Sequence, residues 1–240
     1  MSTFLLVHGA YHGAWCWYKL RPELEDRGHA VVAPDLPAHG TDCTPPARAT
    51  LEGYVDRVCE RLADCEGPVA LVGHSMAGMV ITAVAERRPD AVDALVYLTA
   101  YLPDPGESML DQRGEASVVT ENFVIESERG VGYVADEALD EAFYGDCSAR
   151  DRALARSLLR PEPMDPLSTP VDYTDERFGS VRRTYVGCER DRAITPDQQR
   201  AMRGSVGVDE TLTLSAGHSP FLSVPEATAD ALTAALGERE

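Results

Sequence analysis

The first hundred residues alternate between short, wholly apolar runs and longer stretches whose apolar positions recur every three or four residues. The runs at 3–7, 30–33, 69–72 and 94–98 are too short and too apolar for surface helices, and they read as buried strands. Between them, Leu51, Tyr54, Val55, Val58, Cys59 and Leu62 fall at helical spacing behind Thr50, a residue suited to cap a helix start. Residues 77–87 read as a further helix. Strands alternating with helices predict right-handed crossovers and a mostly parallel sheet covered on both faces.

The rhythm stops at "LPDPGES". From about residue 103 to 179 no convincing strand is legible, and "DEALDEAFYG" and "ARDRALARSLLRP" read as short amphipathic helices. Strand patterns return at 183–187 and 210–214. Each precedes a helix with a capping-box pattern, first Thr195-Pro-Asp-Gln198 and then Ser223-Val-Pro-Glu226. The expected organisation is one domain over residues 1–240, with a core at 1–102 and 180–240 and a helical cap inserted at 103–179. No internal repeat or low-complexity tract interrupts it.

Composition narrows the class of function. With 44% hydrophobic and 26% charged residues the chain has the make-up of a soluble globular domain, and 240 residues bury a sizeable core. A formal net charge of -18 excludes nucleic acid and anionic membrane as natural partners. Lys19 stands alone among arginines, a bias expected of a GC-rich bacterial genome. The cysteines (Cys16, Cys43, Cys59, Cys65, Cys147 and Cys188) form no C-x-x-C pair, so zinc and dithiol motifs are unsupported. No signal peptide or membrane-length apolar run is present, which predicts reduced thiols and a cytoplasmic location. No phosphate loop, dinucleotide fingerprint or H-e-x-x-H spacing appears, and no cofactor or metal is expected.

The chemistry begins at "ALVGHSMAGMV". Gly73-x-Ser75-x-Ala77 has the outline of a nucleophile elbow, with Ala77 where a second glycine is usual. Alone the pattern is weak. Its setting after a predicted strand and before a predicted helix is the strand–turn–helix context an exposed nucleophilic serine requires. A serine also needs a base and an acid that orients the base. His218, in the loop "SAGHSPFL" after the last predicted strand, is the histidine C-terminal to the elbow. The loop "YVGCERDRAITP" offers Asp191 as the acid, with Glu189 as a local rival and Asp104 as an alternative placement. Backbone donors for a tetrahedral oxyanion are expected from Met76 and from the turn "HGAYHG", where Ala10 is the donor and Gly9 keeps the backbone accessible. His8, His12 and His74 read as braces.

These segments carry a resemblance that runs almost end to end. "FLLVHGAYHGAWCWYKL", "GHSMAGMV", "SLLRPEPMDPLS", "DYTDERFGSVRRTYVGCERDRAI" and "GHSPFL" resemble the α/β-hydrolases that include plant methylesterases, hydroxynitrile lyases and bacterial esterases of similar sequence. The resemblance implies an α/β-hydrolase fold, Ser75 as nucleophile, Asp191 rather than Glu189 as acid, His218 as base, and oxyanion donors at Ala10 and Met76. It also implies that Tyr101 and Tyr144 stand where the family lines its pocket with aromatics, and Phe221 beside His218 is a further wall. The lyases of the family carry a threonine at the position of Gly9 and a lysine at the position of Ser219. Their replacement here points to the esterase branch.

The expected activity is therefore a serine carboxylesterase acting on small apolar or aromatic esters, methyl esters among them, with ester and water as its partners. A homodimer is left open. The competing expectations are a cofactor-free lyase, a cyclase or dioxygenase using His218 as base, and a small-molecule receptor on the same scaffold.

Overall fold

The computed structural model describes residues 1–112 and 117–237. Its main sheet has six parallel strands: β1 (Thr3–Val7), β2 (Ala30–Val32), β3 (Val69–His74), β4 (Ala94–Leu98), β8 (Arg183–Cys188) and β9 (Glu210–Leu214). Their order is β2-β1-β3-β4-β8-β9, so the chain winds one way from β1 to β2 and the other way from β3 onward. Every residue of β1, β3 and β4 is buried, as expected for parallel strands covered on both faces. The strands match the predicted runs, with β3 extended to His74 and β2 ending at Val32.

Helices α1 (Leu20–Asp26), α2 (Leu51–Ala63) and α3 (Ala77–Arg87) connect the first four strands. In α2 the Thr50 hydroxyl accepts the Gly53 amide, and Leu51, Tyr54, Val55, Val58 and Leu62 form its buried face. The register pairs Val7 with Gly73, so the chain leaves β1 and β3 at the same end of the sheet. The winding direction changes between these two strands, and a crevice opens there between diverging loops.

The segment between β4 and β8 departs from the helical expectation. It contains α4 (Val118–Glu121), α5 (Leu139–Phe143), α6 (Ala149–Leu158) and α7 (Met164–Ser168). It also contains an antiparallel three-stranded sheet of β5 (Phe123–Glu126), β6 (Val131–Val134) and β7 (Glu162–Pro163). Val124, Ile125 and Tyr133 point apolar side chains at solvent, which hides the alternation expected of a half-buried hairpin. With two residues, β7 is too short to show any period.

The chain ends with α8 (Pro196–Val206), α9 (Pro220–Ser223) and α10 (Pro225–Ala234). Thr195 caps α8 by accepting the Gln198 amide, but the Gln198 side chain turns away to the carbonyl of Gln112. The second expected box does not form. Ser223 lies inside α9, and its hydroxyl donates to the Ser219 carbonyl, leaving Val224 as the cap of α10.

Among the described residues no helix is long and apolar enough to cross a membrane. All six cysteines are free thiols.

Gly78 shows how tightly α3 docks on the crevice. A Cβ there would lie 1.8 Å from the Tyr101 carbonyl oxygen, a backbone atom that cannot move aside. Gly78→Ala should therefore lower the urea-unfolding free energy by about 3 kcal/mol, at the upper end for an overpacked site. An unfolding midpoint equal to wild type would show that the helix has room to shift.

Candidate active site

Ser75 sits on the sharp turn from β3 into α3 with a φ of 55°, the left-handed region that a non-glycine residue rarely occupies. Hydrogen bonds over-determine that conformation. The Ser75 carbonyl accepts the amides of Gly78 and Tyr101, each at 3.0 Å. A Cβ on Gly73 would lie 2.8 Å from the Ala77 carbonyl oxygen, so the residue two before the serine must be glycine, while the Ala77 methyl is accommodated in the core. Ser75 itself is half-buried between fully buried His74 and Met76, so of the three it is the one that keeps contact with solvent.

His218 and Asp191 come from the loops after β9 and β8. The His218 Nδ1 lies 2.8 Å from Asp191 Oδ2, and both side chains are buried. The Asp191 carboxylate accepts three further hydrogen bonds: from Thr99 Oγ1 at 2.5 Å, and from the amides of Ala193 at 2.7 Å and Ile194 at 3.0 Å. With that carboxylate at Nδ1, the imidazole carries its proton there and keeps the Nε2 lone pair free. Glu189 is exposed, and Asp104 is engaged by the Ser205 hydroxyl, so neither takes the place of Asp191.

Thr99, just past β4, has no local sequence signal for this role. Its φ of 37° is unusual for a β-branched residue and is held while its hydroxyl reaches Asp191.

No hydrogen bond joins Ser75 Oγ to His218 among the described residues. The two are linked through His74, whose Nε2 donates to the His218 carbonyl at 2.8 Å and whose ring lies 4.6 Å from that of His218. Contacts between a nucleophile and its base are often long before substrate binds.

The loop after β1 closes the other side. A Cβ on Gly9 would lie 2.9 Å from both Ser75 Cβ and His74 Nδ1, so a larger residue has no place there. The amides of Ala10 and Met76 meet no protein acceptor among the described residues. The Ala10 carbonyl accepts from His12 Nδ1 at 2.7 Å, and His12 Nε2 accepts from the Tyr144 hydroxyl at 2.7 Å.

The aromatic expectations separate here. Tyr144 is fully buried and braces His12, whereas its neighbour Phe143 places its ring 5.4 Å from His218 and 5.8 Å from Tyr11. Tyr101 is nearly buried and holds Ser75 by its backbone, while Phe221 packs 4.8 Å from both Trp17 and His74. Ser219 is fully buried, and its hydroxyl meets no partner among the described residues. A cavity of about 460 Å³ beside α5 reaches His218, with Arg190 and Arg192 at its walls.

The bracing histidines are held neutral. Burial lowers His8 to about 3 and His12 to about 4, and it drives His74 well below its usual value. Their partners fit single neutral tautomers: His8 Nδ1 donates to the Gly9 carbonyl and its Nε2 accepts the Leu36 amide. His39 moves the other way. Burial alone would lower it, but the Glu162 charge 2.8 Å from its Nε2 outweighs that and raises it.

Below pH 6.5 the unfolded chain takes up protons that folded His8 and His12 refuse. Their contribution to stability is complete above that pH and falls as pH drops toward their folded values. Each should lose about 2 kcal/mol of unfolding free energy between pH 6.5 and 5. His39 opposes this, because its contribution is present below pH 6.5 and is lost as pH rises through its raised value. Urea unfolding at pH 7 and pH 5 measures the net, which should favour pH 7. Greater stability at pH 5 would contradict the neutral assignment.

The profile of the alpha/beta hydrolase family matches residues 4–231. Salicylic acid-binding protein 2 of Nicotiana tabacum is 38% identical over 242 residues, spanning 93% of this chain and 92% of its own length. Methylesterase 1 of Arabidopsis thaliana is 33% identical over 244 residues, spanning 95% and 93% of the two chains. The crystal structure of polyneuridine aldehyde esterase superposes with a TM-score of 0.87 at 30% identity, covering 97% of this chain and 98% of that one. On sequence and architecture together, the chain belongs to the alpha/beta hydrolase family.

Proposed function

We propose that this protein is a serine carboxylesterase in which Ser75 attacks the ester carbonyl, His218 takes the serine proton, and Asp191 holds the imidazole. The observation that carries the reading is the Asp191–His218 hydrogen bond, made at the same end of the sheet as the strained Ser75 turn. His218 then returns the proton to the leaving alcohol, and water releases the acyl group by the reverse route. The cavity beside His218 offers that water an approach.

The Ala10 and Met76 amides are the groups assigned to the oxyanion. Their freedom from protein acceptors supports this, because a donor already engaged would have to break a bond as charge develops.

Within the expected insertion, residues 103–112 and 117–179 act as a cap over the crevice. Phe143 from this segment, with Tyr11 from the core, suits a small apolar or aromatic ester, and two of the proteins reported above are named as esterases. The lyase alternative finds no footing: Gly9 leaves no space for a threonine, and Ser219 supplies no cation. Free thiols throughout support placing the protein in the cytoplasm.

Ser75→Ala should lower aryl-ester hydrolysis by at least about 10⁴-fold. A sulfonyl fluoride should add one adduct mass to wild type and none to the variant. Retained turnover in Ser75→Ala would replace acyl-enzyme chemistry with a base-driven reaction. Thr99→Val, which removes one donor to Asp191, should lower kcat/KM by about tenfold while leaving the adduct mass unchanged. A rate equal to wild type would mean that the other donors suffice.

A further inference from the structure

One buried charged group has no part in the reaction proposed above. Glu162 of β7 is fully buried, and the partners of its carboxylate all lie on the core. Its Oε2 accepts the Tyr11 amide at 2.9 Å and faces His39 Nε2 at 2.8 Å, and its Oε1 accepts the Tyr54 hydroxyl at 3.0 Å. A carboxylate removed from water needs such partners to persist, and apolar packing would fill the same space without that demand.

The partner that matters is Tyr11. Its amide belongs to the peptide joining Ala10 to Tyr11, whose carbonyl is held by His12 Nδ1 at 2.7 Å. That peptide is thus gripped at both ends, by Glu162 on its N–H and by His12 on its C=O. The next carbonyl, that of Tyr11, accepts the Arg160 amide at 2.9 Å. Tyr11 itself has a φ of 67°, a conformation that needs external support in a non-glycine residue. The amide immediately before the gripped peptide is Ala10 N–H, so its direction follows from how that peptide is set.

We propose that Glu162 is a positioning residue for the oxyanion hole: from the cap it clamps the Ala10–Tyr11 peptide and so aims the Ala10 amide at the ester oxygen. This rests on the assignment of Ala10 as an oxyanion donor. His39 and Tyr54 make the clamp sustainable by satisfying the remaining carboxylate valence in a dry site. The cap then does more than wall the pocket, because residues 160–162 complete the electrostatic site from above. An apolar residue at 162 would take this acceptor away from the Tyr11 amide and let the strained loop relax.

The test compares three variants in steady-state hydrolysis of an aryl ester and in inhibition by a trifluoromethyl ketone, which forms a tetrahedral adduct with an oxyanion. Glu162→Met keeps the length of the side chain but offers no acceptor. It should lose about 30-fold in kcat, less than deletion of a donor, with KM within about twofold. Ketone affinity should weaken in parallel. Glu162→Gln retains an oxygen for Tyr11 and should recover most of both losses.

A Glu162→Met enzyme with wild-type kcat and ketone affinity would overturn the proposal. So would a loss confined to KM, or a Glu162→Gln enzyme as slow as Glu162→Met. Should Glu162→Met fail to fold, Glu162→Asp decides, since it keeps the charge beside His39 but withdraws the acceptor by one methylene. About tenfold lower kcat supports the clamp, and an unchanged kcat overturns it. Wild type and Ser75→Ala run alongside separate the two readings. No Ser75-dependent turnover in wild type ends the esterase assignment, whereas Ser75-dependent turnover indifferent to residue 162 ends only the clamp.

Discussion

The structure depends on a single backbone turn that would not persist in isolation. Ser75 is held at positive φ because its carbonyl receives two amides, because Gly73 lets the chain fold back on Ala77, and because Gly78 lets α3 rest on the Tyr101 carbonyl. Strain of this kind survives only where the surroundings over-determine it, and here they are the ends of buried parallel strands. The same tightness reaches β1, since Gly9 packs against the Ser75 side chain. The Ser75 turn, the proposed oxyanion loop and the sheet are therefore one packed unit.

Around this unit lies a set of polar groups, Asp151, His12, His39, Tyr54, Tyr144 and Glu162 among them buried, that bind the segment between β4 and β8 to the core. Lys19 and Tyr18 both reach the buried Asp151 of α6, and Lys19 also donates to the Leu222 carbonyl close to His218. Burial would raise the Asp151 carboxyl, but the donated bonds outweigh it and bring it down to about 2. Tyr144 holds His12, Arg160 holds Tyr11, and Glu162 joins Tyr11, His39 and Tyr54. Polar groups withdrawn from water leave few alternative arrangements, because any shift strands a donor or a charge. The insertion is thus seated by direction-specific bonds as well as by apolar contact.

Legibility in the sequence followed the range of the interactions. The strands of the main sheet, and helices α2 and α3, were readable because local patterns encode burial on both faces or on one stripe. Asp191 and His218, which the structure brings within 2.8 Å of each other, could be singled out as candidates because each follows a recognisable strand. The hairpin of β5 and β6 was not readable, since Val124, Ile125 and Tyr133 face solvent and its partner β7 is two residues long. The box expected at Ser223 failed because α9 captured that serine. Tyr144 was expected to line the pocket, but its hydroxyl turns to His12 and it is Phe143, which no pattern singled out, whose ring faces His218.

By itself the sequence determined the fold class and the elbow, and it supplied the proposed order of nucleophile, acid and base. These follow from periodicity and from small residues at fixed local offsets. The tertiary structure alone decided that Thr99 supports Asp191, that His74 links the Ser75 turn to the His218 loop, and that Glu162 reaches Tyr11. Each joins residues 92, 144 and 151 positions apart, respectively. No local pattern records such pairings, because their energy exists only once the sheet has brought the loops together and water has been removed from between them.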